Sequence, residues 1–142
     1  YDMPVESIDE QVQLVIDQLD INDFADRKTK GFSQGQRTKV SLARSLVHGP
    51  QNILLDEPTN GLDVMATRSL RELIHQLRAA GKCVLFSSHV MQEVAALCDE
   101  IVIISAGQVA LHDSTDGIRE ATGCDDLEEA FVKAIDMVEP TE

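Results

Sequence analysis

The sequence predicts an α/β fold in which a short parallel sheet carries flanking helices. Three observations lead there. Two short apolar runs, at Asn52–Leu55 and Cys83–Phe86, are bounded by polar and turn-forming residues, the pattern of strands buried in a sheet. A helical pattern lies between them, which is the crossover that parallel neighbours require. Each run is followed by chemically capable side chains, Asp56-Glu57 and Ser87-Ser88-His89, at the strand edge where open α/β folds bind ligands.

Taken in order, Ser7-Ile8-Asp9-Glu10 has the form of a capping box. Ile8, Val12, Val15, Ile16 and Leu19 follow at helical spacing and predict an amphipathic helix over 8–19. A polar, basic link runs from Asn22 to Gly31. Ser33-Gln34-Gly35-Gln36 is a second capping box, and Val40, Leu42, Ala43, Leu46 and Val47 line a helix that stops before Gly49-Pro50. After the first strand, Asp63 can cap a helix over 64–79, with Leu70, Leu73, Ile74 and Leu77 inward and Gly81 closing it. Val90 to Leu97 reads as a short helix. Ile101–Ile104 and Gln108–Leu111 flank Ala106-Gly107 as a strand pair with a tight turn. Short acidic helices follow near 115–122 and 126–138, the second with Leu127, Ala130, Phe131, Ala134, Ile135 and Val138 on one side.

Composition narrows the function. The 142 residues are 43% hydrophobic but only 4% aromatic, enough for an aliphatic core of about one domain. A net charge of −13 repels nucleic-acid phosphates over most of the surface, so a general nucleic-acid binder is disfavoured. Cys83, Cys98 and Cys124 are too few and too far apart for a disulfide framework or a metal cage, which fits a reducing compartment. No apolar run approaches the roughly 18 residues of a membrane span. Charge is also uneven. Six of the 12 basic residues (Arg27, Lys28, Lys30, Arg37, Lys39, Arg44) fall in one stretch without an acid, where an anion could sit. From Glu93 onward, 13 acidic residues face only Arg119 and Lys133, a solvated acidic face.

Three elements are candidates for chemistry. Asp56 at a strand mouth is placed as Mg²⁺-holding carboxylates are in phosphoryl-transfer sites, and the adjacent Glu57 can deprotonate or orient a water. The same pair could equally be a helix cap or a loop contact. Ser33, Gly35 and Gln36 open a helix whose unpaired amides and dipole suit an anion, or they cap the helix and nothing more. Arg37 and Lys39 beside them favour phosphate. His89 can reach over the mouth of the sheet and donate to a phosphoryl oxygen, or it is a capping or core histidine. His48, His75 and His112 read as structural or surface residues.

In combination these segments are far more specific. Phe-Ser-Gln-Gly-Gln at 32–36, Ile-Leu-Leu-Asp-Glu-Pro at 53–58, Thr-Asn-Gly-Leu-Asp at 59–63 and Ser-Ser-His at 87–89, in this order and spacing, closely resemble the nucleotide-binding subunits of ABC transporters. The resemblance runs from about Glu6 to the C-terminus. It implies the P-loop NTPase fold of the ABC cassette and a signature motif at 32–36, with Walker B at 53–57, the D-loop at 59–63 and His89 as the switch histidine. It further implies Mg²⁺ at Asp56, Glu57 polarising the attacking water and His89 on the γ-phosphate. Ser33, Gly35 and Gln36 would contact ATP held by an opposite subunit, and Asp63 would lie across the dimer interface.

Two departures qualify this. Phe32 and Gln34 stand where the signature usually has Leu and Gly, so Gln34 puts a side chain where bare backbone is usual. These variants, the wording of 59–63 and the tail Leu127-Glu-Glu-Ala-Phe131 are similar to ABC-2 and sodium-exporting cassettes. The second departure is that no Gly-x-x-x-x-Gly-Lys-Ser/Thr loop occurs, although phosphoryl transfer needs one. The single Gly-Lys, Gly81-Lys82, lacks the first Gly and is followed by Cys83. The sequence therefore resembles the C-terminal part of a cassette. Residues 1–48 read as the end of the helical subdomain, 49–112 as the C-terminal part of the ATPase core, and 113–142 as an acidic helical tail. The resemblance implies an ATP-hydrolysing transporter subunit, of exporter type, peripheral on the cytoplasmic face of the cell membrane. Its partners would be transmembrane permease subunits and a second cassette, in a homo- or heterodimer, with no nucleic acid. A soluble ABC ATPase of DNA repair or ribosomes, or a non-catalytic dimerisation piece, are the alternatives.

Overall fold

The described chain, residues 5–138 of a computed structural model, runs α1 (Val5–Gln18), α2 (Gln34–Leu46), β1 (Asn52–Leu55), α3 (Val64–Ala79), β2 (Cys83–Phe86), α4 (Met91–Leu97), β3 (Ile101–Ser105), β4 (Gln108–Asp113), α5 (Thr115–Thr122) and α6 (Leu127–Asp136). It divides into two units, Tyr1–Ser87 and Ser88–Glu142. Residues 1–4 and 139–142, at the ends of the regions expected at 1–48 and 113–142, lie outside the described residues.

In the first unit α1 begins at Val5, so Ser7 stands inside its first turn and Ser7 to Glu10 is not the N-terminal capping box that its wording suggests. A capping serine needs non-helical backbone, and Ser7 is already within the helix. Val15 and Leu19 are buried, whereas Ile8 and Val12 are exposed. The apolar stripe is covered only towards the C-terminal end of the helix, where α1 packs on α2. After α2, Gly49 adopts a left-handed φ of 63° and its N–H donates to the Leu46 carbonyl at 2.8 Å. That closes the helix and frees Pro50 to lead into β1.

β1 and β2 pair in parallel, from Asn52 opposite Cys83 to Leu55 opposite Phe86. The Ser87 N–H extends the ladder to the Leu55 carbonyl at 2.9 Å. The expectation that both strands are buried holds for one face only. Ile53 is buried, but the register partners Leu54 and Leu85 are 74% and 62% exposed. α3 packs against β2 and, among the described residues, covers a single side. Along α3, Leu70, Leu73, Ile74 and Leu77 are buried as the spacing predicts. Gly81, at φ 76°, turns the chain into β2, and Lys82 Nζ and Gln51 Nε2 bind the Gly49 and Gly81 carbonyls at 3.3 and 2.7 Å. Asp63 caps α3 through Oδ1, which accepts from the Ala66 N–H at 2.8 Å. Asp63→Ala is expected to lower the unfolding free energy by about 1 kcal/mol, read from the urea midpoint; an unchanged midpoint would remove the cap from the account.

In the second unit, β3 and β4 form an antiparallel pair with a bulge at Ile103/Ile104, and β4 continues two residues past Leu111. Ala106 and Gly107 both take left-handed φ, 47° and 75°, the pattern of a tightly twisted two-residue hairpin turn. α5 and α6 are capped by Ser114 and Asp126. Asp126, Glu128 and Glu129 thus stand at the positive end of α6, a local use for part of the acidic tail. Val94, Ile103, Ile118, Leu127, Ala130 and Ala134 form the core, with Ile118, Ala130 and Ala134 fully buried. Among the described residues no helix is long and apolar enough to cross a membrane.

Candidate nucleotide-binding site

Two groups of residues come together in the first unit. One is the N-terminal turn of α2. Ser33 is its N-cap, with Oγ accepting from the Gln36 N–H at 3.2 Å while Gln36 Oε1 accepts from the Ser33 N–H at 3.0 Å. The capping box read from the sequence is therefore present. It occupies the amides of Ser33 and Gln36 and leaves those of Gln34 and Gly35 without an intrahelical acceptor. A Cβ on Gly35 would meet Ala66 Cβ at 3.6 Å and Ser33 Oγ at 4.0 Å. These are ordinary contacts, so packing within the chain does not demand glycine there. Phe32, the departure from leucine, is buried and meets Phe24 edge to face, centroids 5.3 Å apart, with the Arg27 guanidinium 5.9 Å from its ring centre. It anchors the segment that enters α2. Gln34 is exposed and lies beside Gly61, where an added Cβ would be 3.6 Å from Gln34 Cγ.

Arg37 and Lys39, read as favouring phosphate, both have backbone partners. Arg37 Nε donates to the Phe32 carbonyl and Lys39 Nζ to the Asp20 carbonyl, each at 3.2 Å. They brace the link before α2, so the basic stretch is in part structural.

The second group lies at the C-terminal end of β1. Asp56 is exposed and Glu57 half-buried. Glu57 has a left-handed φ of 44°, uncommon for a residue with a side chain. Its carbonyl accepts from the Asn60 N–H at 3.0 Å, and the Leu62 N–H reaches the Thr59 carbonyl at 3.1 Å, so tight turns carry the chain to Asp63. Just after β2, Ser87 Oγ donates to Asp56 Oδ1 at 2.6 Å and accepts from the Glu57 N–H at 2.9 Å. By sequence alone Ser87 has no role beyond membership of the Ser-Ser-His motif. Its position directly after the neighbouring parallel strand was the available signal.

His89 is an exposed residue of the second unit, just before Val90, whose N–H donates to Ser88 Oγ at 3.1 Å. Gly81-Lys82 leads from a helix into a strand, the reverse of the strand-to-helix order of a phosphate-binding loop. Among the described residues no group of three or more His, Cys, Asp or Glu could hold a metal. A single carboxylate at Asp56 fits a Mg²⁺ ion shelled mostly by water and phosphate oxygens, not an all-protein cage. Burial, and secondarily the neighbouring Asp99 charge, pushes the Cys98 thiol up, which disfavours the thiolate a cysteine nucleophile needs.

The family model described as ABC transporter matches residues 4–60. The ABC transporter ATP-binding protein NatA of Bacillus subtilis is 42% identical over 81% of this chain and 47% of its own length. The lantibiotic transport ATP-binding protein SrtF of Streptococcus pyogenes is 34% identical over 82% of this chain and 48% of its own. The cobalt import ATP-binding protein CbiO of Rhodobacter capsulatus is 40% identical over 70% and 35%. The chain thus spans half or less of the length of these relatives. A solved ATP binding subunit of an ABC transporter superposes with a TM-score of 0.82 at 25% identity, over 94% of this chain and 57% of that one. The chain belongs to the ABC transporter ATP-binding family, and its α/β fold is that of the ABC nucleotide-binding domain.

Proposed function

We propose that the whole protein bearing this sequence is the ATP-hydrolysing subunit of an ABC membrane transporter, of exporter type, acting as a dimer on transmembrane permease subunits at the cytoplasmic face of the membrane. The observation that carries this is the pair Asp56 and Glu57 at the C-terminal end of a parallel strand, tied to the neighbouring strand through Ser87. In this reading Asp56 holds Mg²⁺ through its water shell and Glu57 takes a proton from the water that attacks the terminal phosphate. His89 donates to that phosphate. Mg²⁺, when bound, neutralises charge on the phosphate oxygens. Ser33, Gly35 and Gln36 meet ATP held by the opposite subunit, with the glycine leaving the backbone open to it, and Asp63 lies at the subunit boundary. Residues 1–48 serve as the end of the helical subdomain, 49–112 as core and 113–142 as tail. The exposed pair Leu54 and Leu85 supports a core completed by further chain, since contiguous apolar surface of this kind marks an interface.

No phosphate-binding loop occurs in these residues, and without its amides and lysine the β- and γ-phosphates have no cradle. The 142 residues alone are therefore expected to release no phosphate from ATP, whereas the whole protein does. Phosphate release by the purified chain is the measurement; robust turnover abolished by Glu57→Gln would overturn the reading.

A further inference from the structure

We infer that Ser87 is a positioning residue that sets both carboxylates of the site through one hydroxyl, an inference that rests on the roles proposed for Asp56 and Glu57. A serine hydroxyl has one proton to give and lone pairs to accept with. Here the proton goes to Asp56 Oδ1 at 2.6 Å, and a lone pair receives the Glu57 N–H at 2.9 Å. The bond to the carboxylate is short, as bonds to ionised acceptors are. It restrains the rotation of the Asp56 side chain and leaves Oδ2 outside this bond. The bond from Glu57 holds a peptide whose φ of 44° is uncommon for a residue with a side chain, and so sets the direction in which the Glu57 side chain leaves the backbone. The Ser87 backbone is itself pinned, its N–H donating to the Leu55 carbonyl at 2.9 Å. Both carboxylates are thereby referenced to β2. Alanine at 87 would remove both side-chain bonds at once; threonine preserves the hydroxyl.

The test compares Ser87→Thr with Ser87→Val in the whole protein. The two side chains share a shape suited to extended backbone and differ in the hydroxyl. Three quantities are read: turnover, the KM for ATP, and the Mn²⁺ concentration that half-saturates the site with a non-hydrolysable ATP analogue, followed by the Mn²⁺ electron-spin resonance signal. Val is expected to lower turnover by about 10- to 100-fold, the range for losing hydrogen bonds to charged groups, and to weaken Mn²⁺ binding while the KM stays in place. Thr restores both. Equal behaviour of Thr and Val, or a loss of ATP binding in step with turnover, overturns the inference. Asp56→Asn and Glu57→Gln are measured alongside. If these two keep full turnover, the carboxylate reading falls and the inference with it. If they lose turnover while Val does not, the Ser87 role alone is wrong. Amide exchange at Glu57 in the unaltered protein decides the case where Val does not fold: slowed exchange supports the bond to Ser87 Oγ, and exchange at the free-peptide rate contradicts it.

Discussion

Glu57→Gln in the whole protein is expected to cut ATP turnover by about 10²- to 10⁴-fold, the range that a positioned general base contributes, while ATP affinity is unchanged. Glutamine has the shape of glutamate but cannot accept the proton of the attacking water at neutral pH. The substitution also spares the backbone contact with Ser87. That contact runs through the Glu57 N–H, and the Asp56–Ser87 bond does not involve the Glu57 side chain. Loss of nucleotide binding together with turnover would mean that the side chain shapes the site and is not its base. Steady-state phosphate release and fluorescent-nucleotide titration on the same preparation separate the two outcomes.

The second large effect is expected at Ser33. Ser33→Arg puts a long cation at the N-cap of α2 and removes the Oγ that accepts from Gln36 N–H. Loss of that cap alone costs about 1 kcal/mol. The larger consequence is steric: the guanidinium occupies the space over the amides of Gln34 and Gly35, where the partner's triphosphate is proposed to lie. ATP-dependent association and turnover should both be abolished, with each subunit still binding ATP. Ser33→Ala, which removes the cap without the bulk, should retain most of the association. Wild-type association of the arginine variant, measured by gel filtration with MgATP, would take Ser33 out of the interface.

Much of this architecture is legible in the residues because local rules and tertiary packing agree. The α2 box at Ser33 and Gln36, the Asp63 cap and the four buried leucine and isoleucine positions of α3 all stand where spacing puts them. Disagreement arises where a second element decides. Ser7 to Glu10 has the wording of a cap, yet α1 begins at Val5, so Ser7 is already helical and cannot take the extended backbone that an N-cap requires. Apolar runs at β1 and β2 promise burial, but a strand reports only its own side chains and not what covers each face; Leu54 and Leu85 stay exposed. Arg37 and Lys39 look like an anion patch, while the carbonyls that occupy them, Phe32 and Asp20, become acceptors only once the link before α2 has folded. The joint contact of Ser87 with Asp56 and Glu57 spans about thirty positions of sequence and needs the parallel register to exist. The charge asymmetry is legible as a sum, but its partial use at the N-terminus of α6 depends on Asp126 serving as the cap.

In the proposed function ATP completes a site shared between two cassettes, the strand mouth at Asp56 and Glu57 on one and the Ser33 helix on the other. Sedimentation velocity of the whole protein carrying Glu57→Gln, with and without MgATP, tests it most directly. The base substitution blocks hydrolysis and so preserves the ATP-bound state for the duration of the run. A monomer without nucleotide that becomes a dimer with MgATP, and reverts when Ser33→Arg is added, is the predicted result. A monomer at every ATP concentration that saturates binding would contradict the account.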